Sequence, residues 1–285
     1  MENKKWGLLT SLAVGDACGA PFEFKPKEVR ELFTVESYPN KIGTYTDDTQ
    51  MSIAVALHTY GKFEFSVNDY AAHFWGHYQH DKERPGFSRR TRLALEEDTL
   101  DKFITSCISQ IPRDTNGCVM RVLPIGYIRD VERVKQAALM QCIVTHPYVE
   151  CIIASQFVAL MAHYFIYRAH ENLADFICEY LGESEFLKIA YAWNKESEIP
   201  CNAILTASFV YNNVRGNSMK QILYDAIEVG GDVDSTAAVS LGLASLNKDI
   251  INDLPDALYD NLENGKHGRD FLDDLNAKLV ANLSN

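Results

Sequence analysis

Gly230-Gly231-Asp232-Val233-Asp234-Ser235-Thr236, continuing through Ala237-Ala238-Val239-Ser240-Leu241-Gly242-Leu243-Ala244, is the stretch around which the chain is organised. Two glycines end the amphipathic run Ile222 to Val229, and two carboxylates and two hydroxyls follow within five residues. The segment beyond is apolar and made largely of small residues. It reads as a tight turn into a buried helix. Asp232 or Asp234 is placed to cap that helix, because a carboxylate accepts from the free N–H groups of a first turn. Taken alone, the stretch is a capped core helix with small residues for close packing.

A second stretch has the same character. Gly43-Thr44-Tyr45-Thr46-Asp47-Asp48-Thr49 precedes the apolar helical run Met51-Ser52-Ile53-Ala54-Val55-Ala56-Leu57. Two helix starts with carboxylates and hydroxyls suggest convergence. Asp47, Asp48, Asp232 and Asp234 brought together repel one another strongly unless cations intervene. Carboxylate and hydroxyl oxygens suit hard divalent ions such as magnesium, manganese or calcium.

The chain has 285 residues, 47% of them hydrophobic and 23% charged, enough for a large core. Its net charge of −12 argues against nonspecific binding to nucleic acid or an anionic membrane, while leaving room for a local basic pocket. No apolar run is expected to span a bilayer, and the N-terminal residues do not resemble a signal peptide. Seven cysteines, scattered and without a CxxC, argue against a disulfide framework or zinc site. Free thiols in a reducing cytoplasm are expected.

Trp6 to Ala20 reads as a buried helix with Asp16 inside it. Glu23 follows amid Pro21, Phe22 and Phe24, where a buried charge needs a partner and an exposed loop glutamate is the plain alternative. Lys25 to Lys41 reads as loop with one short helix. His73, His77 and His80 lie at helical spacing within Val67 to His80, but nothing around them completes a zinc pattern, so surface or core histidines are favoured. Arg89, Arg90 and Arg92 form a basic patch after Pro85-Gly86. It is either a solvated loop or a cover for an anionic ligand. Asn116-Gly117 marks a turn into an apolar segment, whose free N–H groups suit phosphate. Arg121 within that segment calls for an acidic partner. Helical periodicity recurs to Leu283 and strand alternation is scarce. An all-α single domain of many helices, residues 1–285, is predicted.

Five of these stretches, in this order, resemble the ADP-ribosylglycohydrolase family of dinitrogenase-reductase-activating glycohydrolase and the ADP-ribosyl-acceptor hydrolases. They are Gly15-Asp16-Ala17-Cys18-Gly19 with Glu23, Thr46-Asp47-Asp48-Thr49, Asn116-Gly117 with Met120-Arg121, Thr145-His146-Pro147, and Gly230-Gly231-Asp232-Val233-Asp234-Ser235. The resemblance implies a compact orthogonal multi-helix bundle with two magnesium or manganese ions in a cleft. By matching position, Thr46, Asp47 and Asp48 ligate metal from one side and Asp232, Asp234 and Ser235 from the other. Glu23 matches the acidic catalytic residue. Asn116, Gly117 and Cys118 match a loop that holds ADP-ribose, and His146 lines the same pocket. Gly86, Phe87 and Ser88 match a substrate-side loop.

The implied activity is metal-assisted attack of water at the ribose anomeric carbon, releasing ADP-ribose from a modified acceptor, foremost an arginine side chain on a protein. Alternatives are a serine-linked or small-molecule conjugate, or a non-catalytic ADP-ribose-binding protein. Serine stands at 235 where the family usually has threonine. Nothing acidic occupies Pro85 to Arg90, where members acting on ADP-ribosyl-arginine often carry aspartate. The expected partners are an ADP-ribosylated protein or small molecule and ADP-ribose. No nucleic acid and no membrane are expected, and the protein is expected to be a cytoplasmic monomer.

Overall fold

The computed structural model describes residues 6–36, 43–61, 65–169, 171–194 and 197–284. The end of the Lys25–Lys41 loop lies outside the described residues. Helices follow one another throughout: α1 (Leu8–Gly19), α2 (Lys27–Arg30), α3 (Asp47–Gly61), α4 (Val67–His80), α5 (Arg89–Leu95), α6 (Leu100–Ile108), α7 (Val131–Ile143), α8 (Val149–Tyr167), α9 (Leu173–Leu181), α10 (Glu183–Ala190), α11 (Ala203–Asn213), α12 (Met219–Glu228), α13 (Val233–Leu246), α14 (Asp256–Asp260) and α15 (Arg269–Ala281). Short 3₁₀ turns at Ala20–Phe22, Asn116–Cys118 and Leu123–Tyr127 connect some of them. Among the described residues the only β-type pairings are two isolated bridges, Ile199 with Gly231 and Ser218 with Ile251.

Two helices form the axis. Every residue of α1 is buried, and so is α13 through Ala244. A helix apolar on all sides needs neighbours on all sides. The two lie against each other more closely than ordinary side chains permit. A Cβ at Gly15 would stand 2.4 Å from the Ala237 carbonyl oxygen, and one at Gly19 would stand 2.5 Å from Asp234 Cα. Small residues in both helices therefore set the interaxial distance, and that contact places Asp16 beside the first turn of α13.

Outer helices carry the polar N-caps that their sequences offer. Ser66 accepts from Asp69 N–H, Thr99 from Lys102 N–H and Ser218 from Gln221 N–H. Each such cap contributes about 1 kcal/mol. Of the two aspartates expected to cap α13, Asp234 accepts from a first-turn N–H, that of Ser235, at 2.9 Å. Asp232 stands at the N-cap position, but its side chain makes no capping bond. The carboxylate instead accepts from Asn116 Nδ2 at 3.0 Å, so it is committed to a neighbouring loop and not to its own helix.

The expectation that no apolar run is long enough to cross a bilayer is corrected at α8. Its 19 residues have a mean hydropathy of 1.6, enough by length and composition alone. In the fold this helix is mostly buried, packed on α7, α9 and α11 as a core element.

Candidate functional site

Asp16 lies fully inside the protein and accepts four hydrogen bonds from the start of α3. Thr46 donates its N–H (2.9 Å) and hydroxyl (2.8 Å), and Thr49 donates its N–H (3.0 Å) and hydroxyl (2.6 Å). A residue of α1 thus caps α3. Burial still raises the Asp16 pKa above the ordinary range, against the lowering effect of those donors. The capped turn presents Asp47 and Asp48, and the Gly230-Gly231 turn presents Asp232 and Asp234 opposite them. Both glycines have positive φ, 81° and 83°, a conformation that L side chains resist. The turn is pinned by Ile199, whose N–H donates to Gly230 O and whose carbonyl accepts from Asp232 N–H.

Carboxylate oxygens of Asp16, Asp48 and Asp234 all lie within 4.8 Å of one another, and so do those of Glu23, Asp232 and Asp234. Burial and mutual repulsion push Asp47, Asp48 and Asp234 well above the ordinary carboxylate range. Glu23, half-buried, is raised to about 7 by desolvation, then by the charges of Asp232 and Asp16. Asp48 Oδ1 is buried with no hydrogen-bond donor. An orphan acceptor among crowded carboxylates, with no basic side chain ion-paired to them among the described residues, is the ligand set a hard cation satisfies. The residues present fit a divalent ion.

Glu23, Asp47, Asp48, Asp232 and Asp234 line a cavity of about 300 Å³ together with Gly86, Phe87, Ser88, Asn116, Gly117, His146 and Ser235. Gly86 (φ 101°) rests on the Thr46-Asp47 turn, because a Cβ there would fall 2.0 Å from Asp47 Oδ1. Thr46 is buried beside the cavity with its hydroxyl on Asp16. Cys118, like Thr46, does not line the cavity. Its thiol points inward and donates to Cys151 O at 3.6 Å. Its backbone belongs to the 3₁₀ turn, but its side chain does not line the cavity. His146 is buried under Gly117, its ring nitrogens paired with the Thr145 and Thr115 hydroxyls. Burial, then Arg121 and Arg90, lower its pKa to about 3, so it is neutral at physiological pH.

Arg121 lacks the acidic partner expected for it. Its guanidinium donates to Gln141 Oε1 (2.7 Å), Gln141 O (2.9 Å) and the Thr145 hydroxyl (2.8 Å), and its centre lies 4.2 Å from the Phe74 ring centroid. Carbonyls, a hydroxyl and a π-face satisfy the donors, and burial lowers the Arg121 pKa. The three-histidine segment holds no metal cluster among the described residues.

A second chamber, of about 580 Å³, adjoins the first and shares Ser88, Thr91, Thr115, His146 and Cys201 with it. Arg89, Arg90 and Arg113 line it beside apolar Leu93, Ala94 and Phe103. Among the described residues none of these three arginines has an ion-pair partner, unusual in a chain of net charge −12. Arg92 does not join them. It donates to Lys82 O and Arg84 O and so fastens the loop. Cys201, whose thiol donates to Asn116 Oδ1 at 2.9 Å, stands between the chambers, and no local pattern pointed to it.

Residues 2–285 match the ADP-ribosylglycohydrolase family model. The chain belongs to this family. An uncharacterized protein of Archaeoglobus fulgidus is 25% identical over a 315-residue alignment that covers 98% of this chain and 96% of that one. A solved structure titled as an ADP-ribosylglycohydrolase-related protein complex superposes with a TM-score of 0.72. The superposition covers 98% of this chain and 97% of the other at 21% identity, a likeness of fold. Membership supports a hydrolase acting on ADP-ribose linkages, and the all-α architecture is the one the family shares.

Proposed function

We propose that the protein is a metal-dependent hydrolase that releases ADP-ribose from a modified acceptor, foremost an arginine side chain of a protein. The observation that carries this reading is the wall shared by a carboxylate cavity and an arginine-lined chamber. A ligand filling both has a sugar at the carboxylates, phosphates at the guanidinium groups and a base against the apolar wall. ADP-ribose has those parts in that order.

Asp48, Asp232 and Asp234, with Thr46, Asp47 and Ser235 beside them, would hold two magnesium or manganese ions, and the two carboxylate triads share Asp234. Such ions, when bound, supply Lewis-acid polarisation and charge that orients sugar hydroxyls. The remaining work falls to the chain. Glu23, clustered with Asp232 and Asp234 at the cavity wall, is placed to take the proton of the water that attacks the anomeric carbon. Asn116 fixes Asp232 by donating to Oδ2. Neutral His146 and the Thr115 hydroxyl form an uncharged wall between sugar and phosphates.

The test is release of free ADP-ribose from a protein ADP-ribosylated on arginine, with magnesium, with manganese and with chelator. Chelator-sensitive release supports both site and acceptor. Binding of ADP-ribose in calorimetry without release moves the acceptor to another linkage. Absence of both release and binding overturns the reading.

A further inference from the structure

Phe24 is a residue for which the fold itself has no use. Its side chain is 61% exposed, so it packs into no core. It is also the one non-glycine residue among those described with a positive φ, 50°, a conformation that a bulky residue adopts at a cost. Glycine or asparagine would relieve that strain, and a polar side chain would remove the exposed apolar surface. The conformation is nevertheless held firmly, because Phe24 N–H donates to Gly231 O at 2.8 Å, in the turn that presents Asp232. Phe24 follows Glu23 directly and lines the carboxylate cavity, but not the arginine chamber. A single exposed aromatic ring is ordinary on a protein surface. An exposed ring on strained backbone, tied to the metal-side turn at the cavity rim, is not.

The two chambers also differ in sign. Arg89, Arg90 and Arg113 line one and repel a cation, whereas Glu23 and the aspartates attract one toward the Phe24 rim. We propose that Phe24 is the acceptor-specificity residue, its ring face stacking on the planar guanidinium of the bound conjugate. When the C–N bond breaks, the bond pair stays with nitrogen and the acceptor departs as neutral guanidine, which takes up the proton that Glu23 removes from the attacking water. This rests on the hydrolase reading above and adds to it the side on which the acceptor sits. An aromatic face over a guanidinium combines stacking with cation–π attraction. It does for the acceptor what an acidic residue in the Pro85–Arg90 loop would do by charge.

The experiment compares wild type, Phe24→Leu, Phe24→Trp and Phe24→Gly, each metal-loaded. It reads kcat/KM on an ADP-ribosyl-arginine peptide against the dissociation constant of free ADP-ribose, which lacks an acceptor. Phe24→Leu is expected to lose roughly five- to thirty-fold in kcat/KM while the ADP-ribose dissociation constant moves less than about two-fold. Phe24→Trp retains the activity, because it keeps a π-face. Phe24→Gly relieves the backbone, so it loses activity with an unchanged or higher Tm, which separates recognition from folding. Equal activity in Phe24→Leu and wild type overturns the assignment, as does a loss in Phe24→Trp equal to that in Phe24→Leu. Wild type that binds ADP-ribose but does not cleave the arginine conjugate overturns the guanidinium assignment alone. Absence of both binding and cleavage overturns the hydrolase reading beneath it.

Discussion

The Asp16 carboxylate takes both the backbone N–H and the hydroxyl of Thr46, at 2.9 and 2.8 Å, so one core helix supplies the cap of another and aims its aspartates. Replacing Asp16 by alanine strands four buried donors, two from Thr46 and two from Thr49. The metal-saturated protein is expected to lose about 2–4 kcal/mol of stability, since each buried unpaired donor costs about 1–3 kcal/mol and the two hydroxyls can reorient. Denaturant unfolding in saturating magnesium measures this. Stability within about 0.5 kcal/mol of wild type would falsify the capping role.

Asp48 gives a prediction whose sign depends on metal. Without ions, its charge is disfavoured by burial, Asp16, Asp47 and Asp232. Asp48→Asn removes that charge while keeping the shape, so the metal-free variant should melt at a higher temperature than the metal-free wild type. With ions the order reverses. A ligand at a hundred-fold excess over its Kd stabilises wild type by about 2.7 kcal/mol, and the variant loses most of this. Paired thermal scans with chelator and with manganese test both halves. A variant that is stabilised by manganese as much as wild type would remove Asp48 from the ligand set.

Gly86 tests the roof of the same cavity. Alanine there would adopt φ 101° and place its Cβ 2.0 Å from Asp47 Oδ1. Loop and aspartate cannot both keep their places. Strain in an exposed loop costs about 1–2 kcal/mol of global stability. The larger expected effect is local: roughly a ten-fold weaker affinity for manganese in calorimetry, because Asp47 is pushed aside. An affinity equal to that of wild type would show that this loop does not position Asp47.

The helices and the two acidic stretches were legible because each is a local pattern. Glycines, paired carboxylates and an apolar run lie side by side at 230–244 and at 43–57. The role of Asp16 was not, since its partners lie 30 and 33 residues away, and a carboxylate inside an apolar helix says only that donors exist somewhere. Arg121 misled for a related reason. A buried guanidinium was assigned an acid, but Gln141, Thr145 and the Phe74 ring meet its needs together. The arginine chamber draws Arg90, Arg113 and Cys201 from three separate segments, so no window of sequence contains it. Of the two aspartates read as alternative caps of α13, Asp234 takes the first-turn N–H of Ser235, while Asp232 is claimed by Asn116, a donor 116 residues away that no local pattern reveals.

His77 carries a pH signature independent of the site. It is buried against His267, with ring centroids 4.6 Å apart, and its Nε2 has no hydrogen-bond partner. Burial, then the nearby His267 and His80, depress its pKa to about 3 from an ordinary value of 6.5. The folded protein therefore keeps His77 neutral where the unfolded chain takes up a proton. Stability from this residue is fully present above pH 6.5 and is lost progressively as pH falls toward 3. Between pH 7 and pH 5 the loss is about 2 kcal/mol at most, at about 1.4 kcal/mol per pH unit once the unfolded chain is protonated. His77→Phe fills the same space without titrating. Its stability relative to wild type should rise on going from pH 7 to pH 5, measured by urea unfolding at each pH. A difference between the two proteins that stays constant across that range would mean that His77 is protonated in the folded state as readily as in the unfolded one.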